Sequence, residues 1–213
     1  MKIGVFDTGK GGELVAERLK KLRPHDELLV VNDRAHFPYG GRTPVEICRL
    51  TEQAIQPLLQ TCEIILLACN TATVNAAAWL RKTHPDVKFI GFEPMIKPAA
   101  KIGQNIVILA TSSTLRSARY RHLKTQFADC RNIFEPDCSG WATKIERGNF
   151  DDAELVELEN LAKSRPIDVI VLGCTHYLAL EKRLIEKFPG VKILQPIAAV
   201  NARIERISRS AQA

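Results

Sequence analysis

The sequence predicts an α/β protein made of two related lobes, each a mainly parallel sheet covered by helices. Short β-branched runs alternate with longer segments of helical period along the whole chain. Most strand runs are apolar nearly throughout, the pattern of strands buried on both faces of a helix-covered sheet. The chain also echoes itself. Ile64-Ile65-Leu66-Leu67-Ala68-Cys69-Asn70-Thr71 recurs in character as Val169-Ile170-Val171-Leu172-Gly173-Cys174-Thr175-His176, an offset of 105 positions from 69 to 174. Ile3 through Thr8 resembles Ile106 through Thr111, an offset of 103 from 3 to 106. A duplicated βα unit explains both matches.

The expected strands are 2–6, 27–31, 64–68, 89–91, 105–110, 132–135, 167–172 and 191–194, with helices over stretches such as 11–22, 44–59, 71–83, 151–164 and 178–188. The implied division is an N-terminal lobe over 1–95, a C-terminal lobe over 96–195, and a helix over 196–213 packing back on the N-terminal lobe. The lobes are expected to be pseudo-symmetric, with the active site in the cleft between them.

Composition narrows the class. The 213 residues are 46% hydrophobic and 25% charged, with 12 Gly and 11 Pro, so a real core is available and a disordered or collagen-like chain is excluded. No apolar run reaches the roughly 18–20 residues of a bilayer span, and Asp7 comes too early for a signal peptide. The expected compartment is the cytoplasm. The net charge of +6 invites nucleic acid, but the basic residues are scattered or paired with acids, as in Glu181-Lys182-Arg183, and the densest stretch, 116–121, has no row of aromatics to stack bases. A basic surface suited to acidic small molecules fits better, and neither nucleic acid nor membrane is expected as a partner.

In parallel α/β sheets, ligands bind beyond the carboxyl ends of strands, where the next helix begins. Asp7-Thr8-Gly9, Cys69-Asn70-Thr71, Thr111-Ser112-Ser113-Thr114 and Cys174-Thr175-His176 all fall there. Their hydroxyls, amides and free backbone N–H groups suit a small anion. One strand-end Cys is ordinarily a small buried residue. Two at equivalent places in a repeat point to paired chemistry. Six cysteines stand at 48, 62, 69, 130, 138 and 174 with no C-x-x-C and no zinc spacing, so neither disulfides nor a metal is expected. Cys48, Cys62 and Cys130 read as structural. His176 lies two residues past Cys174, where it can tune the thiol. Gly9-Lys10-Gly11-Gly12 matches no nucleotide motif and reads as a tight turn beside a small ligand.

These motifs resemble the glutamate racemase family of the aspartate/glutamate racemase superfamily. The resemblance rests on Ile3-Gly4-Val5-Phe6-Asp7-Thr8-Gly9 with Gly11-Gly12, Asp33-Arg34-Ala35 with Pro38-Tyr39-Gly40, Ala68-Cys69-Asn70-Thr71-Ala72, Glu93-Pro94, Ala110-Thr111 with Thr114 and Ser117, and Gly173-Cys174-Thr175-His176-Tyr177, in family order across almost the whole chain. It implies flavodoxin-like lobes and a cofactor-independent interconversion of L- and D-glutamate for peptidoglycan synthesis. One Cys from each lobe, Cys69 and Cys174, would act as acid or base. Asp7, His176 and Glu146 are the implied supporting groups, and Thr8, Tyr39, Gly40, Asn70, Thr71, Thr111, Thr114 and Thr175 the implied substrate contacts. The resemblance allows a homodimer.

Several positions depart from the family pattern: Thr8 stands where Ser is usual, Ser139 and Leu178 where Pro is usual, 140–144 is more polar, 192–195 lacks an Asp often found there, and the C-terminal portion is shorter. Two other functions stay open on the residues: an aspartate or broad-specificity racemase of the same superfamily, and a ligand-binding homologue with weak turnover.

Overall fold

The computed structural model describes residues 1–212, with side chains through Arg209. The first unit holds β1 (Lys2–Asp7), α1 (Gly11–Leu22), β2 (Glu27–Asn32), α2 (Pro44–Leu59), β3 (Ile64–Leu67), α3 (Asn70–Thr83) and β4 (Lys88–Gly91). The second holds α4 (Ile96–Ile102), β5 (Asn105–Ala110), α5 (Ser112–Arg116), α6 (Ala118–Ala128), β6 (Asn132–Phe134), α7 (Trp141–Arg147), α8 (Val156–Ser164), β7 (Val169–Gly173), α9 (Glu181–Lys187) and β8 (Lys192–Leu194). A last helix, α10 (Ile197–Gln212), belongs to the first unit, where it packs against α1 and β4.

Each unit has a four-stranded parallel sheet, ordered β2-β1-β3-β4 in the first and β6-β5-β7-β8 in the second. The same order appears twice, as the internal echo requires. In each sheet the order reverses at the first strand, so the crevice beside it, between β1 and β3 or between β5 and β7, is the topological switch point at which α/β sheets bind ligands.

The apolar reading of the strands holds for the central ones. Every residue of β3 and β7 is buried, as are five of six in β1 and in β5. Burying a side chain such as Ile65 or Val171 contributes about 1.5–3 kcal/mol. The outer strands β2, β6 and β8 have mostly half-exposed positions, because each has a neighbour on only one side. Local signals set the helix starts. Thr43 Oγ1 accepts from Glu46 N at 3.3 Å while the Glu46 carboxylate accepts from Thr43 N at 3.0 Å, with Pro44 at the first helical position of α2.

The expected helix over 151–164 is split into a 3-10 turn, Asp152–Leu155, and α8. The one over 178–188 is a 3-10 turn, Thr175–Leu180, followed by α9. Cys62 lies in the core and Cys48 is half-buried on α2, but Cys130 is exposed at a turn after α6, which corrects its reading as a structural residue. Among the described residues, no helix is long and apolar enough to cross a membrane.

Candidate active site

In the first unit, Asp7 ends β1 and is fully buried. Its Oδ1 accepts from the backbone N–H of Thr8 at 2.6 Å and of Gly9 at 3.1 Å, so the carboxylate shapes the turn out of the strand. Gly12 lets α1 begin hard against it: a Cβ there would stand 2.7 Å from Asp7 Cβ and 2.6 Å from Asn32 Oδ1. Only glycine tolerates that approach.

Cys69 follows β3 and is the N-cap of α3, 7% exposed. Its Sγ lies 3.8 Å from Thr8 Oγ1, which joins the ends of β1 and β3 at the switch point. Burial pushes the Cys69 thiol up to about 12, and the Asp7 charge adds to the effect. The backbone N–H groups of Ala72 and Thr71 and the Thr8 hydroxyl work in the other direction, favouring a thiolate. Cys69 therefore rests protonated, with a cradle of donors ready for the charged form. Asn70 is buried and donates from Nδ2 to Phe92 O at 3.0 Å, tying the start of α3 to the chain beyond β4. Thr71 is buried in the first turn of α3.

Tyr39 is buried within a 3-10 turn, Tyr39–Gly41, that includes Gly40. Its hydroxyl donates to Asp33 Oδ2 at 2.7 Å, and His36 Nδ1 lies 2.8 and 3.0 Å from the two Asp33 oxygens. Burial and the Asp33 charge hold the Tyr39 hydroxyl protonated well above the usual tyrosine range. Asp33 itself donates its backbone N–H to Asp7 O at 2.9 Å. The set of candidate site residues drawn from the sequence leaves out Asp33. Its position immediately beyond β2 was the signal, since the strand-end rule applies to that strand as well.

In the second unit, Cys174 follows β7 and is 8% exposed. Its Sγ lies 3.9 Å from His176 Nδ1, and His176 Nε2 lies 2.9 Å from Glu146 Oε2. Glu146 comes from α7, thirty positions earlier in the chain. A carboxylate on Nε2 favours the tautomer that turns the Nδ1 lone pair to the thiol. The order thiol, imidazole, carboxylate is the usual way to orient a base against a nucleophilic or proton-transferring sulfur. Thr175 is buried beside it. Thr111 caps α5, accepting from Thr114 N at 3.3 Å, with the two hydroxyls 3.0 Å apart. Tyr177 donates to Cys138 O at 3.3 Å, and burial pushes the Cys138 thiol up to about 12.

Asp7, Thr8 and Cys69 are thus gathered at the switch point of the first unit, with Asn70 and Thr71 opening α3 beside the thiol. Cys174, His176 and Glu146 are gathered in the second. Thr111 and Thr114 lie at the start of α5, just beyond β5, which pairs with the β7 strand that Cys174 follows. Among the described residues, no group of three or more His, Cys, Asp or Glu is arranged to hold a metal ion.

Known proteins resemble this chain over most of its length. The Asp/Glu/Hydantoin racemase family matches residues 13–203. A glutamate racemase of Pseudomonas paraeruginosa is 37% identical over 96% of this chain and 80% of its own, and one from Clostridium perfringens is 36% identical over 90% and 76%. Among solved structures, Escherichia coli glutamate racemase in complex with L-glutamate and the activator UDP-MurNAc-ala superposes with a TM-score of 0.84 at 27% identity, covering 96% of this chain and 80% of that one. Thermus thermophilus glutamate racemase in complex with beta-chloro-D-alanine gives a TM-score of 0.76 at 29% identity, covering 99% and 81%. With strand-end cysteines at matching places in both sheets, the chain belongs to the Asp/Glu/hydantoin racemase family and is an amino-acid racemase.

Proposed function

We propose that this racemase interconverts L- and D-glutamate by two-base proton transfer, with Cys69 and Cys174 as the acid and base, and that the D-glutamate serves peptidoglycan synthesis. The observation that carries the reading is the repeated placement of a nearly buried thiol at the carboxyl end of the third strand of each sheet.

The chemistry explains the residue types. Inverting an α-carbon needs one group to remove its proton and another to deliver a proton to the opposite face. A single group would return the proton where it was taken. Thiols serve both roles because a thiol protonated at rest is an acid and its thiolate a base, and exchanging the states runs the reverse reaction. Cys69, held protonated by burial, is the resting acid. Cys174 is the partner base, with His176 Nδ1 3.9 Å from its Sγ and so placed to take up its proton. Negative charge develops on the α-carboxylate as the proton leaves, and Asn70, Thr71 and Thr175 at helix or turn starts supply fixed donors for it. With both proton-transfer roles filled by side chains, turnover is expected without added pyridoxal phosphate or metal.

The test is a panel of L-amino acids assayed for D-product with the native chain and with Cys69→Ser and Cys174→Ser. Glutamate is expected to be racemised, and each variant to lose more than about 100-fold in kcat, the lower end of what one acid or base contributes, while melting like the parent. Full activity in either variant ends the two-thiol proposal. D-product from aspartate but not glutamate replaces the substrate.

A further inference from the structure

The Cys174-His176-Glu146 line depends on a helix that cannot hold itself in place. α7 has seven residues, fewer than two turns, whereas isolated helices shorter than about 12–15 residues are marginal in water. Glycines in the left-handed region flank it, Gly140 with φ 79° and Gly148 with φ 73°, so neither end extends into a stiffer element. Yet α7 delivers Glu146 to His176 at 2.9 Å.

What fixes it is an aromatic stack. Trp141, the first residue of α7, is 3% exposed and lies between two rings: Tyr177 at 5.6 Å and 63°, and Phe150 at 5.2 Å and 76°. Both are edge-to-face contacts, each worth about 0.5–1.5 kcal/mol beyond simple burial. Tyr177 immediately follows His176 and donates to Cys138 O, which also accepts from Trp141 N at 3.2 Å. The same carbonyl therefore binds the start of α7 and the residue next to the imidazole. Lys144 of α7 pairs with Glu154, and Arg183, which pairs with Asp152, lies over the Phe150 ring at 5.8 Å.

We infer that Trp141 is a positioning residue for this racemase: by packing on Tyr177 and sharing the Cys138 carbonyl with it, Trp141 sets where Glu146 meets His176, and so how the imidazole faces Cys174. This rests on the proposed role of Cys174. A tryptophan buried only to fill space would matter to stability alone. A positioning tryptophan also controls turnover, because displacing proton-transfer groups by about 1 Å can cost up to ~10²-fold.

The test compares Trp141→Phe, Trp141→Leu, Tyr177→Phe and Cys174→Ser in the full chain. Two readouts are used: glutamate racemisation, and the His176 ring N–H signal of protein labelled with 15N-histidine, assigned with His176→Gln. In Trp141→Leu, kcat is expected to fall about tenfold with KM within about twofold, and the His176 signal to broaden or move. Trp141→Phe keeps a ring for Tyr177 and is expected to restore both. If Trp141→Leu does not fold, Tyr177→Phe decides, since it removes one hydroxyl; kcat is expected to fall about threefold with the same change in the signal. Unchanged kcat and signal in the folded Leu variant, or in Tyr177→Phe when that variant decides, overturn the inference. Full kcat in Cys174→Ser sinks the two-thiol reading instead, and the histidine signal then still reports whether Trp141 positions the imidazole.

Discussion

Cys69 and Cys174 stand at equivalent strand ends, yet their surroundings differ in kind. Around Cys69, burial and the Asp7 charge disfavour a thiolate, against a weaker set of donors from Thr71, Ala72 and Thr8. Beside Cys174 stands an imidazole backed by a carboxylate. The sequence showed half of this difference, His176 two residues past Cys174, but not the burial and the Asp7 charge that oppose a thiolate at Cys69. A consequence for Cys69 can be measured. A thiol raised to about 12 in the folded chain stays protonated through the pH range where an ordinary thiol of about 8.5 ionises. Alkylation of Cys69 by iodoacetamide in the ligand-free protein, followed by mass spectrometry of its peptide, is expected to stay slow from pH 7 to 9.5 and to rise only beyond. The unfolded chain titrates first, so this thiol favours the folded state below about pH 9, and that contribution is lost as pH climbs toward 12. A midpoint near 8.5 for Cys69 would remove it as the resting acid.

At the scale of elements, the long periodic helices and the central strands were readable because one pattern extends over many residues. α1 and α2 run from 11 to 22 and from 44 to 59, as their periodicity suggests. Short helices carry too few turns for a period to show. α5 and α6 are separated by Ser117 alone, which adopts an extended conformation and caps α6 by accepting from Tyr120 N at 3.0 Å. α7 is marked only by its two flanking glycines. Where a cap was spelled out, as in Thr43-Pro44-Val45-Glu46, the sequence located the helix start and the structure supplies the reciprocal hydrogen bonds. Thr43→Ala removes the side-chain half of that box. The expected loss is about 1 kcal/mol, a fall in Tm of about 2–4 °C for a chain of this size, with racemisation unchanged at 25 °C. A calorimetric Tm equal to the parent's would show that the cap adds nothing to stability.

At the scale of the whole chain, the duplication was legible because a repeated strand and turn leave the same residue types behind, Ile3 through Thr8 against Ile106 through Thr111. The partners of each thiol were harder to read, since Glu146 and His176 meet across thirty positions and Thr8 and Cys69 across sixty-one. Only the resemblance pointed to Glu146; its spacing carried no signal. The duplication also bears on how the reaction should look from solvent. If one thiol removes the α-proton and a different one returns a proton, the two sulfurs exchange with water separately. In D2O the inverted product then gains deuterium from the thiol that had already exchanged. Substrate that is deprotonated and falls back regains its own proton, because the first thiol returns it before exchanging. The expected result, by proton NMR of the α-position early in turnover, is deuterium in the D-glutamate and close to none in recovered L-glutamate, with the mirror result starting from D-glutamate. Deuterium entering recovered substrate as fast as product would mean that one group handles both protons, and the second thiol would then have no chemical task.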